Sequence, residues 1–454
     1  MHNKITRRGF LQMGAAASLT ATLASTGWSQ QPVKTIRLGF IGVGGRGTYL
    51  LSLALGFEGV EVSAICDLDP SPMNEAIALV EKARGKRPAG YAEGPTDYRR
   101  LLARDDVDAV IIATPMQLHG VMSVAALRAH KHVLSEVAAA VTLDECWALV
   151  RAAEDSGRLY MMSENCCYYR QNLVVLQMVK AGLFGDMTYA ECGYVHDCRA
   201  LAFKSDGSLT WRGELARDFS GNLYPTHALG PVCQWLGINR GDRLVSLVAS
   251  TSAQKGIPHF VAQKFGRDHA AAKIKFAVGD TTTTLIRTAK GAVIDLRYDT
   301  YSSRPHPNTT YYTLQGETAS YKDDGTTQQI WIEGKSQSYA WEPIASYAAA
   351  YEHPLWKRSY EQASKTGHGG ADYFVVAEFL EAIRAGRPAP VDACDAAAWS
   401  CIIPLSAASI RAGGAPQAIP DFTRGAWKKR VPGDAANPSH KAGNRADGLR
   451  QQRR

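Results

Sequence analysis

The chain has 454 residues, 45% of them apolar and 21% charged, as in a soluble globular protein, and its length predicts two domains. The formal net charge of +8 misleads about partners. Nine Lys/Arg against two Asp in residues 424–454, with Lys4, Arg7 and Arg8 at the start, leave a body of about −2, which excludes a basic nucleic-acid surface.

Residues 1–31 read as a leader. Thr6-Arg7-Arg8-Gly9-Phe10-Leu11-Gln12 precedes a mild apolar region, Met13–Ala24, and small residues near Ser25–Gln30. The pattern resembles a twin-arginine signal and implies export to the periplasm or beyond; the apolar part is too short to span a bilayer. The nine scattered cysteines include no CxxC pair and read as mostly buried thiols of a chain that folds in the cytoplasm. Cys166 and Cys167, read as neighbours on an extended stretch, point to opposite sides.

The stretch Lys34–Asp67 organises the rest of the chain. An apolar run (Ile36, Leu38, Phe40, Ile41) leads into Gly42-Val43-Gly44-Gly45-Arg46-Gly47, then a helix-capable segment, then Val60–Cys66 ending on Asp67. This is the strand, glycine turn, helix and strand of a dinucleotide-binding unit. Gly42 turns the chain, Gly44 admits a pyrophosphate, and Gly47 lets helix and strand pack closely. Asp67 stands where a carboxylate bonds a ribose 2′-hydroxyl, favouring NAD over NADP.

From 34 to 162 strands at 36–41, 60–66, 108–113, 131–135 and 158–162 alternate with helices at 47–56, 71–84, 97–104, 117–129 and 142–156, which predicts a doubly wound parallel sheet of Rossmann type. Thr114-Pro115 and Glu136 end strands at the ligand edge of that sheet. Over 163–422 strands at 187–198, 243–250, 271–278, 281–288, 292–300, 309–315 and 328–333 come with few helices between them. The pattern predicts an α+β domain on a mostly antiparallel sheet, with a hairpin around Lys290-Gly291. Helices at 371–385 and 395–412 close it, and 423–454 is read as a basic, flexible tail.

This layout resembles the Gfo/Idh/MocA oxidoreductases over roughly 34–425, with one departure. Where ordinary members carry Glu-Lys-Pro, this chain has Glu136-Val137-Ala138, and valine moves no proton. That substitution, with EVAAAVTLDECW (136–147), MMSENCCYYR (161–170), NLYPTHALGPV (222–232) and GHGGADYF (367–374), is similar to glycoside hydrolase family 109, the NAD-dependent α-N-acetylgalactosaminidases. The resemblance implies NAD contacts at Gly45, Arg46, Asp67, Met116, Gln117, Leu118, His119, Glu136, Val137 and Asn165. It implies substrate contacts at Tyr194, Arg212, Tyr224, Pro225, Thr226 and His227. His306 stands where relatives carry a substrate-contacting Tyr.

Most glycosidases use two carboxylates, and NAD-dependent ones are exceptions. In the implied route a tightly bound NAD oxidises the sugar at C3, the C1 oxygen leaves by elimination across C1–C2, water adds, and the hydride returns. The residues carrying it are read as His227, an acid/base group at C2–C3, with Tyr224 beside it and also near the cofactor, and Tyr194 as a contact or proton donor. A helix starting near His227 is expected to depress its pKa and favour the neutral imidazole. Glu136 is expected to hold the nicotinamide ribose, His119 to contact nicotinamide or cap a helix, and His368 to be structural. No metal site is expected at His130 and His132. Two rivals stay open: an NAD-dependent sugar oxidoreductase of the periplasm, and a non-catalytic sugar-binding relative. Self-association is left open.

Overall fold

A computed structural model describes residues 34–305 and 309–431. The stretch read as a twin-arginine leader, His306 and the basic residues beyond 431 lie outside the described residues. The described residues from Thr35 on form one compact unit.

Six parallel strands form the first sheet: β1 (Ile36–Ile41), β2 (Val60–Cys66), β3 (Ala89–Tyr91), β4 (Ala109–Ile112), β5 (His132–Ser135) and β6 (Tyr160–Met162). Their order, β3-β2-β1-β4-β5-β6, is the doubly wound arrangement with its switch point between β1 and β4. The strands are near-continuous apolar runs because helices cover both faces, and Leu38, Phe40, Ile111, Val133 and Leu134 have no exposed surface. The helix Leu143–Ser156 starts on a capping box in which Thr142 and Glu145 exchange hydrogen bonds.

The second sheet contains β7 (Met187–Val195), β8 (Leu244–Thr251), β9 (Thr282–Thr288), β10 (Val293–Asp299), β11 (Thr310–Gly316), β12 (Ala319–Asp323), β13 (Gln328–Ile332), β14 (Glu342–Pro343) and β15 (Gln417–Ala418). All its pairings are antiparallel except β7 with β10. The β9–β10 hairpin turns at Lys290-Gly291, where Gly291 takes a φ of +97°. One apolar cluster runs from Phe40 in the first sheet to Ile286 and Leu296 in the second.

Four expectations change. The stretch 271–278 is not a strand: it holds a short turn, Ala270–Lys273, and its Ala277 and Val278 N–H groups bond Arg217 and Ala216 carbonyls instead of a neighbouring strand. Helices are more numerous than expected, at Arg170–Lys180, Trp211–Asp218, Thr226–Trp235 and Gly256–Lys264. The closing helix divides at Cys401 into Ala393–Ser400 and Ile402–Arg411, because Pro404 has no N–H for the Ser400 carbonyl. Residues 423–431 are docked on the body: Gly241 N–H bonds the Trp427 carbonyl, Arg424 pairs with Glu154, and Arg430 pairs with Asp392.

Ala393–Arg411 is, among the described residues, the one segment with the length and apolarity to cross a membrane, and 78% of that window is buried, as in a core helix.

Candidate functional site

The carboxyl ends of β1, β2, β4 and β5 open on a cavity of about 550 Å³. Its walls include Gly42, Gly44, Gly45, Arg46, Asp67, Thr114, Leu118, His119, Glu136 and Val137. The glycines divide the work as expected. A Cβ on Gly47 would lie 2.0 Å from the Gly42 carbonyl oxygen, so only glycine lets this helix meet the strand, whereas Gly44 and Gly45 face open space. A bare backbone at the start of the helix Gly45–Ala54 is the surface a pyrophosphate needs. Asp67 Oδ2 accepts from Val43 N–H at 2.7 Å and Oδ1 from Asp69 N–H at 3.0 Å, which fixes the carboxylate beside the glycine turn. These residues fit a dinucleotide.

Arg46 does more than line this wall. Its Nε donates to Glu136 Oε1 at 2.7 Å, and its two Nη atoms donate to Asp372 at 3.0 and 2.8 Å. Asp372 is wholly buried at the start of the helix Ala371–Ala385 and also takes Asn165 Nδ2 at 2.9 Å and His368 Nδ1 at 2.6 Å. Burial would raise its pKa, yet His368 and Arg46 hold the carboxyl well below its ordinary range. Asn165 is therefore off the cleft wall, tied to it through Asp372 and Arg46, and its buried Oδ1 has no partner among the described residues. Asp372 is the sole acid of GHGGADYF, and nothing in the sequence of that block singles it out. His368 takes a φ of +50° in the turn before this helix.

His119 is buried with Nδ1 2.9 Å from the Ala138 carbonyl and Nε2 2.8 Å from the Thr114 carbonyl. Burial lowers its pKa, and a neutral ring has a single N–H, so it donates to one of these two carbonyls at a time and lies between the two strand-end loops beside the cleft. Gln117 donates to the Trp211 carbonyl at 3.2 Å, and Met116 is buried in a second apolar cluster against which Trp211 and Tyr224 pack. Glu136 is held from both sides, by Arg46 and by Ser163 Oγ at 3.1 Å, and accepts Val137 N–H at 3.2 Å.

At the other end Trp211, Arg212 and Tyr224 complete the cleft. The Arg212 guanidinium lies over the Trp211 ring at 4.1 Å, and Tyr224 O–H donates to the Val137 carbonyl at 3.3 Å. The same three residues, with Tyr194, Tyr298 and Tyr301, bound an adjoining compartment of about 30 Å³. Tyr194, Tyr224 and His227 converge: ring centroids are 5.4 Å apart for the two tyrosines, 5.3 Å for Tyr194 with His227, and 5.2 Å for Tyr224 with His227. Pro225 precedes the helix Thr226–Trp235, and Thr226 is buried at its start. Burial raises the pKa of both tyrosines, which keeps them protonated donors.

Two residues escaped the sequence. Tyr194 O–H is 2.7 Å from His196 Nε2, a neighbour that strand alternation places on the same side. Glu164, buried without exposed surface, lies with Oε1 2.7 Å from His227 Nδ1. This corrects the expectation for His227. Burial and the helix N-terminus disfavour the charged ring, but Glu164 prevails, with Cys166 adding to it, and the pKa is raised well above the ordinary value. Cys166 and Cys167 sit on a tight turn, Asn165–Tyr168, capped by Glu164, not on an extended stretch. None of the nine cysteines is bridged, and eight are buried. Glu164, Cys166 and His227 bring ligand-type atoms within 4.8 Å of one another. Within this group the Glu164–His227 contact, at 2.7 Å, is of hydrogen-bond length.

Two family models match successive parts of the chain. A family model described as "Oxidoreductase family, NAD-binding Rossmann fold" matches residues 36–164, and "Glycosyl hydrolase 109, C-terminal domain" matches 168–429. A glycosyl hydrolase family 109 protein of Stenotrophomonas maltophilia is 37% identical over 94% of this chain and 97% of its own. An alpha-N-acetylgalactosaminidase of Tannerella forsythia is 36% identical over 94% and 98%. Among solved structures, levoglucosan dehydrogenase in complex with NADH and levoglucosan superposes with a TM-score of 0.65 at 20% identity, covering 85% of this chain and all of that one. An NAD binding oxidoreductase from Klebsiella pneumoniae gives 0.66 at 17%, covering 85% and 99%.

Proposed function

Because the chain belongs to glycosyl hydrolase family 109 and carries an NAD-binding Rossmann domain, we propose that it hydrolyses glycosides ending in α-linked N-acetylgalactosamine while its NAD stays bound. The observation that carries the reading is the convergence of Tyr194, Tyr224 and His227 beside a cleft whose other end is built for a dinucleotide. Held by the glycine turn, Asp67 and Glu136, the dinucleotide would supply reversible hydride acceptance from C3, which would acidify C2–H and ease departure of the C1 oxygen.

The protein's own groups handle the protons. Tyr194, paired with His196, takes the C3 hydroxyl proton by passing its own to the imidazole. His227, charged at rest, gives its proton to the departing C1 oxygen and takes the C2 proton in its place; when water adds, it returns a proton to C2 and takes one from the entering water. Arg212, held flat by Trp211, offers a fork to the acetamido oxygen or ring hydroxyls, while Glu136 and Asp67 hold the two ribose ends. We further propose export by the twin-arginine route, which moves folded proteins and so carries NAD along.

The test is a panel of aryl glycosides incubated with purified protein and no added cofactor. Cleavage of the α-N-acetylgalactosaminide with deuterium entering C2 from heavy water is the expected result. Net NADH formation from free sugar, without glycoside cleavage, would instead establish the oxidoreductase rival.

A further inference from the structure

Glu164 has no assigned part in the chemistry, yet its placement is specific. It is without exposed surface, in a loop that links β6 to the turn Asn165–Tyr168. Its Oε1 meets His227 Nδ1 at 2.7 Å and accepts Cys166 N–H at 3.1 Å. Its Oε2 is buried and has no partner among the described residues. A buried carboxylate is costly unless a positive charge answers it, and the nearest answer is the imidazole. The contact also commits Nδ1, leaving Nε2 as the nitrogen that can face a substrate.

Of the other groups around the ring, Cys166 also favours the charged imidazole, but it is a buried thiol whose own pKa is raised by burial, so it brings no full negative charge. Tyr194 and Tyr224 touch the ring edges as neutral phenols, and Tyr312 O–H donates to the His227 backbone carbonyl at 2.7 Å. Arg212, stacked over Trp211, acts on Tyr224 and repels positive charge. Glu164 is the one carboxylate in direct contact.

We infer that Glu164 is a positioning residue: it fixes the His227 ring with Nε2 toward the sugar and keeps it protonated as the acid for the leaving oxygen. The inference rests on His227 acting as that acid. It also explains how a histidine at a helix N-terminus, among apolar and aromatic neighbours, carries a charge at all.

The experiment compares wild type, E164Q, H227Q and E164Q/H227Q, each checked for folding and for NAD content after denaturation. Gln keeps the volume and an acceptor for Nδ1–H but removes the charge. E164Q should retain NAD and KM, lower kcat by about 10²-fold or more, and move the alkaline limb of the kcat profile to lower pH. Adding E164Q to H227Q should lower kcat no further, since Glu164 acts through His227. An unmoved alkaline limb in E164Q, or a further loss in the double variant, overturns the inference. If E164Q does not fold, E164D replaces it: the charge remains but is withdrawn by one methylene, so kcat falls at unchanged KM. A kcat equal to wild type overturns the inference. Titration of the His227 ring by NMR tests the pairing independently of turnover. A lower pKa in the Glu164 variant supports the pairing even if α-N-acetylgalactosaminides prove not to be substrates, and an unchanged pKa overturns it.

Discussion

At the scale of single residues, electrostatic partners outweigh local position. His227 sits in the first turn of its helix, where the dipole disfavours a cation, yet Glu164 at 2.7 Å raises its pKa well above the ordinary value. A histidine with a raised folded pKa stabilises the protein fully below its unfolded value, about 6.5. That contribution shrinks as pH climbs through the raised folded value. The melting temperature of wild type should therefore exceed that of E164Q/H227Q most near pH 6, with the gap narrowing steadily toward pH 9. Calorimetry across that range checks the sign; a gap that widens with pH would show that the pair is not held together by a protonated His227.

At the scale of elements, the glycine turn and the helix Ala371–Ala385 come from opposite ends of the chain and are joined by Arg46 and Asp372. Asp372 has no exposed side-chain surface and Arg46 only 28%, so the pair is shielded from solvent and its loss is expensive. Breaking a buried pair by removing one charge costs about 3–5 kcal/mol; with Arg46 partly exposed and an amide left to hydrogen-bond, D372N should cost about 2–3 kcal/mol. Freed from Asp372, Arg46 would no longer hold Glu136 toward the cleft. We therefore expect D372N to release NAD faster on dialysis as well as to melt earlier. Retention of NAD equal to wild type would confine Asp372 to a purely stabilising part.

At the scale of the whole molecule, both sheets share one compact unit, and the cleft draws its walls from each: Gly44, Asp67 and Glu136 from the first, and Trp211, Arg212 and Tyr224 from the chain beyond it. A ligand seated there binds only the folded form and so stabilises both sheets at once. Removing NAD by gentle denaturation and gel filtration should lower the melting temperature by several degrees. NAD at about 100 times its Kd should restore about 2.7 kcal/mol. NADP, whose 2′-phosphate would meet Asp67, should restore little; equal rescue by NADP would show that Asp67 does not select the cofactor.

Sequence alone determined the parallel sheet and the glycine turn followed by Asp67, which rest on local periodicity and on residues held together in one short stretch. Tyr194, Tyr224 and His227 were singled out through the family resemblance, and the structure brings their rings together. Sequence alone misjudged 271–278 because an apolar alternation there packs without a strand partner, its N–H groups being taken by the end of the helix Trp211–Asp218. It also missed Glu164 and His196, and it left the GHGGAD block without a partner for its acid. Only the tertiary structure decided the ionic character of the site: Glu164 is 63 residues from His227, and Asp372 is 326 from Arg46. A side chain's charge state depends on what burial places within about 3–4 Å of it, and no spacing along the chain encodes that distance.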